Sequence, residues 1–227
     1  FGDYNVKSNI FQKILTIFLG YLLIPLVLSI PFYFSIYNLT FSNSFFEAIS
    51  GFTSTGFTVF DNIKLVDQSL IIWRSSTQWI GGLYFLFSII YLIDIYDDSF
   101  KKTLTNFISF NNSEILKQAA KILILYSSLT ILIFGVLNIF SIRTFDSLNL
   151  ALTIISSGGF LPVNELSMII KENAQIIVFS VMMLFSFFSL FFSYNLIFLR
   201  KKNVNFFYED LHLFVYLVVV VTTFFLF

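Results

Sequence analysis

The sequence has no cysteine and only one histidine, His212, in 227 residues. Without thiols there is no disulfide, no cysteine-ligated zinc, no iron–sulfur cluster and no thiol nucleophile. A lone imidazole leaves no multi-histidine metal site. Charge is scarce too: Asp, Glu, Lys and Arg make up 11% of the chain, where a soluble domain carries about a quarter. Thirteen basic and thirteen acidic residues cancel, so no bulk field draws nucleic acid as a partner. The apolar runs hold no Ser–His–Asp set, histidine cluster or paired carboxylates, which argues against a membrane enzyme. The 33 phenylalanines read as a compositional bias and receive no functional assignment.

What the chain does have is apolar length. Long apolar runs cover residues 14–37, 70–95, 122–142 and 174–199, and a fifth begins at 211. About 20 such residues cross a hydrocarbon core of about 30 Å, so the class is an all-α polytopic membrane protein. Two shorter segments, 43–52 and 145–155, lie between the first and second runs and between the third and fourth. They are too short to span and are candidates for re-entrant helices. The chain starts at Phe1 rather than Met and stops at Phe227 inside an apolar run, so it reads as an internal piece of a longer protein.

Lys7, Lys13, Lys101, Lys102, Lys117, Lys121, Arg200, Lys201 and Lys202 fall at one set of run ends; Lys64, Arg74, Arg143 and Lys171 fall at the other. This bias puts the N-terminus of the chain in the cytoplasm and lets both short segments enter from the outside. The order span, half-span, span occurs twice, with a weak sequence repeat beneath it. At an offset of 103, "AISGFTSTGF" falls on "ALTIISSGGF", matching Gly56 to Gly159 and Phe57 to Phe160. Internal repeats in membrane proteins often build a site at their shared axis.

A helix of about eleven residues rises roughly 16 Å, half the hydrocarbon core, and its negative C-terminal pole favours a cation there. Non-helical backbone at that depth must be buried in protein or line water. Thr53, Ser54, Thr55, Gly56 and Phe57 after the first half-span, and Ser156, Ser157, Gly158, Gly159 and Phe160 after the second, are the candidates. Their carbonyls could replace the hydration shell of an ion, with hydroxyls of Ser and Thr at the inner end. Glycine suits Gly56 and Gly159 because it adopts positive φ freely and adds no Cβ near an axis. Neutral oxygens favour potassium as the transported ion, placed at Thr55, Gly56, Gly158 and Gly159, with no cofactor. One such small-residue cluster alone would read as a helix-packing face; its recurrence after each half-span favours the filter. "WIGGLY", residues 79–84, reads as packing, its glycines letting another helix approach.

"FFEAISGFTSTGFTVFDNI" and "IIWRSSTQWIGGLYFLFSIIYL" together resemble the first pore repeat of the Trk/Ktr/HKT superfamily of potassium transporters, its TrkH branch in particular. "FDSLNLALTIISSGGF" resembles the second repeat, and "RKKNVNFFYEDLHLFVYLVVVV" the beginning of the third. The resemblance implies a potassium-channel-like fold of repeated span–re-entrant pore helix–filter loop–span units, four to a chain. Residues 1–100 would be the first pore repeat, 101–205 a cytoplasmic linker with the second, and 206–227 the first helix of a truncated third. It further implies potassium uptake as the pore-forming subunit of a Trk-type system in the cell membrane. The implied partners are membrane lipid, a second copy in a homodimer, and a separate TrkA-like cytosolic nucleotide-binding ring. Phe57 departs from the branch, where relatives often carry a small residue, and Pro162 stiffens the exit from the second filter. The alternative function is a secondary permease that binds a small solute at broken helices.

Arg74 has two readings. It pairs with a pore-loop carboxylate, Glu47 or Asp61, and braces the filter, or it snorkels at the interface. Glu47 lies in the first half-span, where an unpaired charge is costly, and so calls for a partner. Asp94, Asp97 and Asp98 with Lys101 and Lys102 read as a solvated loop. His212 reads as an interfacial residue rather than a proton relay.

Overall fold

The computed structural model describes residues 10–36, 39–92, 112–198 and, near the end, 215, 216 and 219. Lys7, the loop with Asp94, Asp97, Asp98, Lys101 and Lys102, the cluster Arg200, Lys201 and Lys202, His212 and most of 206–227 lie outside the described residues. The regular elements among the described residues are all helical.

The first apolar run is two helices, not one. Helix α1 (Ile10–Leu28) is followed at once by α2 (Ile30–Ser35). Pro31 has no N–H to offer the carbonyl four residues back, so the ladder breaks there. Beside the break, Ser29 Oγ donates to the Leu26 carbonyl at 2.7 Å. Backbone bonds from Ser29 N to Pro25 O and from Tyr33 N to Ser29 O carry the chain across the break. The stretch Phe11–Ser35 therefore still serves as one apolar span.

Helix α3 (Phe41–Phe52) is 12 residues long, about 18 Å at 1.5 Å per residue. Thr40 starts it: its backbone is extended and its hydroxyl accepts from the Asn43 N–H at 3.3 Å, a side-chain cap for one orphan donor. Helices α4 (Gln68–Leu92) and α5 (Asn112–Ile139) have 25 and 28 residues. Helix α6 (Thr144–Ile155) has 12 again, and α7 (Asn173–Phe198) has 26. The order full-length, half-length, full-length thus occurs twice, as the apolar runs suggested.

Helix α4 is as long as a span, yet only Phe11–Ser35 and Ala119–Ile139 are both long and apolar enough, among the described residues, to cross a membrane on composition. The reason is local. Arg74, Ser75, Thr77 and Gln78 interrupt α4 with polar groups, and all four are buried. They are not offered to lipid, because α4 packs against both half-length helices, α3 on one side and α6 on the other. Around α3, the residues Leu28, Phe32, Ala48, Phe52 and Leu70 form one core. A second core gathers α5 and α6 through Ile133, Leu137, Leu150 and Ala151. Phe18, Leu23 and Phe34 on α1 and α2, Ile124 and Ile131 on α5, and Ile177 and Val181 on α7 point outward and exposed. An apolar outer surface over a partly polar interior is the pattern of a helical membrane protein, and this chain is one.

The two glycines of "WIGGLY" let α4 sit this close to both repeats. A Cβ on Gly81 would overlap the Phe52 carbonyl at the end of α3. A Cβ on the adjacent Gly82 would overlap Tyr126 Oη and lie 3.0 Å from Ser156 Cβ, just after α6. One glycine serves each half-length helix.

Candidate functional site

Both half-length helices end in the same cap. After α3, Ser54 takes a left-handed backbone (φ 54°). Its N–H donates to Gly51 O at 2.9 Å, and the Thr55 N–H reaches back to Ser50 O at 2.9 Å. After α6, Ser157 is left-handed (φ 53°), with Ser157 N to Ile154 O at 3.0 Å and Gly158 N to Thr153 O at 2.9 Å. This pair of bonds closes off the last helix carbonyls, and glycine normally occupies the left-handed position. Here a serine holds it twice, 103 residues apart.

The equivalence runs on through the loops. Gly56 and Gly159 have φ of 80° and 81°, values that L residues rarely adopt. Ser50 Oγ donates to the Phe57 carbonyl at 2.6 Å, and Thr153 Oγ1 bonds the Phe160 carbonyl at 2.9 Å. In each loop a hydroxyl from the last helical turn thus holds the loop's far end. Thr53 and Ser156 return their hydroxyls to Ile49 O and Leu152 O. The two loops also meet: a Cβ on Gly56 would fall 2.6 Å from the Gly158 carbonyl oxygen and 3.6 Å from Gly159 Cα. All ten residues singled out for the filter therefore lie on two matched loops that touch at their glycines.

The loops differ in how they are braced. Phe57 is 68% exposed while its counterpart Phe160 is 2% exposed. Phe160 is buried because the Arg74 guanidinium lies over its ring, 4.2 Å from the centroid. Arg74 and Glu47 are both buried and form an ion pair, Nε to Oε1 at 2.6 Å. Of the two carboxylates open to Arg74 in the sequence, the partner is Glu47; Asp61 lies exposed beyond it. Glu47 also accepts from Thr58 Oγ1 at 3.0 Å and from the Val59 N–H at 2.9 Å, so its oxygens are well supplied with donors. Arg74 also donates to Thr58 Oγ1 at 3.1 Å and to the Leu161 carbonyl at 3.3 Å. One guanidinium, charge-assisted and forked, thereby links the first loop's exit to the second's. At the same offset the second repeat has Leu150 and Ile177, so the pair occurs once.

Three further residues join the loops and have no role assigned from the sequence. Gln78 Oε1 accepts from the Phe160 N–H and shares the one hydroxyl hydrogen of Thr153 with the Phe160 carbonyl. Thr58 bridges Glu47 and Arg74. Asn164 bonds the Ile63 N–H at 2.8 Å and Asn62 Oδ1 at 3.3 Å, tying together the polar returns that follow the two loops, Asp61 with Asn62 and Asn164 with Glu165. Gln78 stood inside the quoted "RSSTQWIGG", and the pairing of Asn62 with Asn164 sits at nearly the repeat offset. Those were the signals available.

No protein-family model matches the chain. It is 28% identical over 175 residues to MJ1485, an uncharacterised cation transporter of Methanocaldococcus jannaschii, covering 73% of this chain and 35% of that one. It is 44% identical over 46 residues to the Trk system potassium uptake protein TrkG of Escherichia coli, covering 20% of this chain and 10% of that protein. Over 56 residues it is 38% identical to TrkH of the same organism, covering 24% and 12%. The crystal structure of the potassium transporter TrkH from Vibrio parahaemolyticus has the same fold, with a TM-score of 0.65 at 19% identity over 80% of this chain and 37% of that chain. The chain spans about a third of the length of MJ1485 and of the Vibrio protein.

Proposed function

As the chain is a TrkH-like member of the Trk/Ktr/HKT superfamily, we propose that it contributes two walls of a potassium-uptake pathway across the membrane. The observation that carries this is the matched pair of loops: same cap, same φ values, same hydroxyl-to-carbonyl brace, touching at Gly56 and Gly158. Left-handed residues alternating with ordinary ones at 54–57 and 157–160 let successive carbonyls turn to one side. An ion there exchanges its hydration shell for carbonyls of Thr55, Gly56, Gly158 and Gly159. Hydroxyls of Thr53, Ser54, Ser156 and Ser157 lie at the inner end, below Phe57 and Phe160. The protein is a conduit and does no covalent chemistry, and potassium is its cargo rather than a cofactor.

Two walls do not enclose an ion. We assign the others to further repeats of the whole protein, of which residues 206–227 begin the third. The whole protein would act as a homodimer in the cell membrane, with the N-terminus of this chain cytoplasmic and a TrkA-like cytosolic nucleotide-binding ring as regulator. The permease alternative calls for full-length helices broken at a solute site. The half-length helices capped by left-handed serines support the filter reading instead.

Uptake in a potassium-transport-deficient host expressing the full-length protein tests this. Rubidium should enter, and Gly56→Ser or Gly159→Ser should reduce rubidium entry or admit sodium. Rubidium and sodium uptake unchanged by both substitutions would remove the filter assignment.

A further inference from the structure

Arg74, Gln78 and Gly82 stand one turn apart on α4 and form a ridge along the second loop. Gln78 is fully buried. Its Oε1 lies 2.9 Å from Thr153 Oγ1 and 3.3 Å from the Phe160 N–H. Thr153 is the residue whose carbonyl closes the helix cap, and Phe160 is the loop's far end, so one amide from the first repeat grips the second loop at both ends. Gly158 leaves the room for it, since a Cβ there would overlap the Gln78 amide. The first loop is held from within its own repeat, Thr58 bonding Glu47 and Arg74. Thr55 stands at the position equivalent to Gly158, its hydroxyl 2.7 Å from that of Thr53, and Ser50 Oγ bonds the Phe57 carbonyl.

Gln78 Nε2 is buried with no hydrogen-bond partner among the described residues. A buried unpaired donor is costly, and a leucine of similar size would avoid that cost. Volume alone therefore does not account for an amide at this place, whereas its acceptor oxygen has a clear task on the loop. We propose that Gln78 is a positioning residue: it fixes the second loop against the first and so sets which alkali cation the paired loops accept. This rests on the ion-path reading above.

The test uses the full-length protein with Gln78→Leu, which keeps the volume and removes the acceptor, and Gln78→Glu, which keeps an acceptor oxygen in place. Amide exchange is read in detergent on peptides covering 156–160 and 53–57, and rubidium-over-sodium uptake is read in the deficient host. Gln78→Leu should speed exchange over 156–160 about five- to tenfold, the effect of one lost hydrogen bond. It should leave 53–57 unchanged, which also reports that the protein is folded, and should change the uptake ratio about threefold or more. Gln78→Glu should return the exchange towards that of the parent. Unchanged exchange in Gln78→Leu overturns the proposal. Faster exchange with an unchanged uptake ratio also overturns it, leaving Gln78 a brace without influence on the ion. A parent protein that takes up no rubidium instead sinks the ion-path reading, and the selectivity claim with it, while the exchange result still reports on the grip.

Discussion

Arg74 and Glu47 sit fully inside the protein, and each is the other's main compensation. Taking two charges out of water is expensive, and removing one partner strands the other, a loss of about 3–5 kcal/mol. Arg74→Met or Glu47→Leu should therefore lower the thermal unfolding midpoint in detergent markedly, and the double substitution should recover part of the loss. Asp61→Asn, at an exposed position, should change stability by no more than about 0.5 kcal/mol. Equal effects at positions 47 and 61 would contradict the pairing. The two loop glycines, Gly56 and Gly159, should also differ. Alanine at either meets the left-handed backbone penalty of about 1–2 kcal/mol. At Gly56, though, the added Cβ also lands 2.6 Å from the Gly158 carbonyl, while at Gly159 its nearest contact is Gly56 Cα at 4.0 Å. Gly56→Ala should thus lower stability and rubidium uptake more than Gly159→Ala, measured side by side.

At the scale of elements, much was legible in the sequence. The half-length segments expected at 43–52 and 145–155 are helices Phe41–Phe52 and Thr144–Ile155, and the fourth apolar run, expected at 174–199, is Asn173–Phe198. Apolar length and small polar residues after a short run are local signals, so they survive in one dimension. The break at Pro31 was not read, because a proline in a long apolar run can be carried by its neighbours, as the backbone bonds of Ser29 carry it here. Gln78, Thr58 and Asn164 were missed for a different reason. Each is an ordinary polar residue whose role exists only once α4 lies between two loops from different repeats. That placement depends on Gly81 and Gly82. Gly81→Val should push α4 from the end of α3 and cost about 1–3 kcal/mol. A substitution of similar size at Gly135, where an added Cβ meets nothing within 4 Å, should cost much less. Matched melting curves of the two variants check this.

At the scale of the whole molecule, the repeats are joined through their loops as well as their helices. Arg74 reaches from Glu47 to Leu161, Gln78 from α4 to Phe160, and Asn164 from one polar return to the other. Ser75 and Asn149 add a fourth bond, 2.8 Å long, between α4 and α6. The two loops are thereby fixed to each other near the glycines, as the proposed coordinating site of set diameter needs. The most direct measurement is anomalous scattering from crystals of the full-length protein grown with rubidium in place of potassium. A rubidium peak should appear between the loops, bordered by the carbonyls of Thr55, Gly56, Gly158 and Gly159, and should be lost on exchange into sodium. Rubidium peaks elsewhere with none between these loops would contradict the ion-path reading.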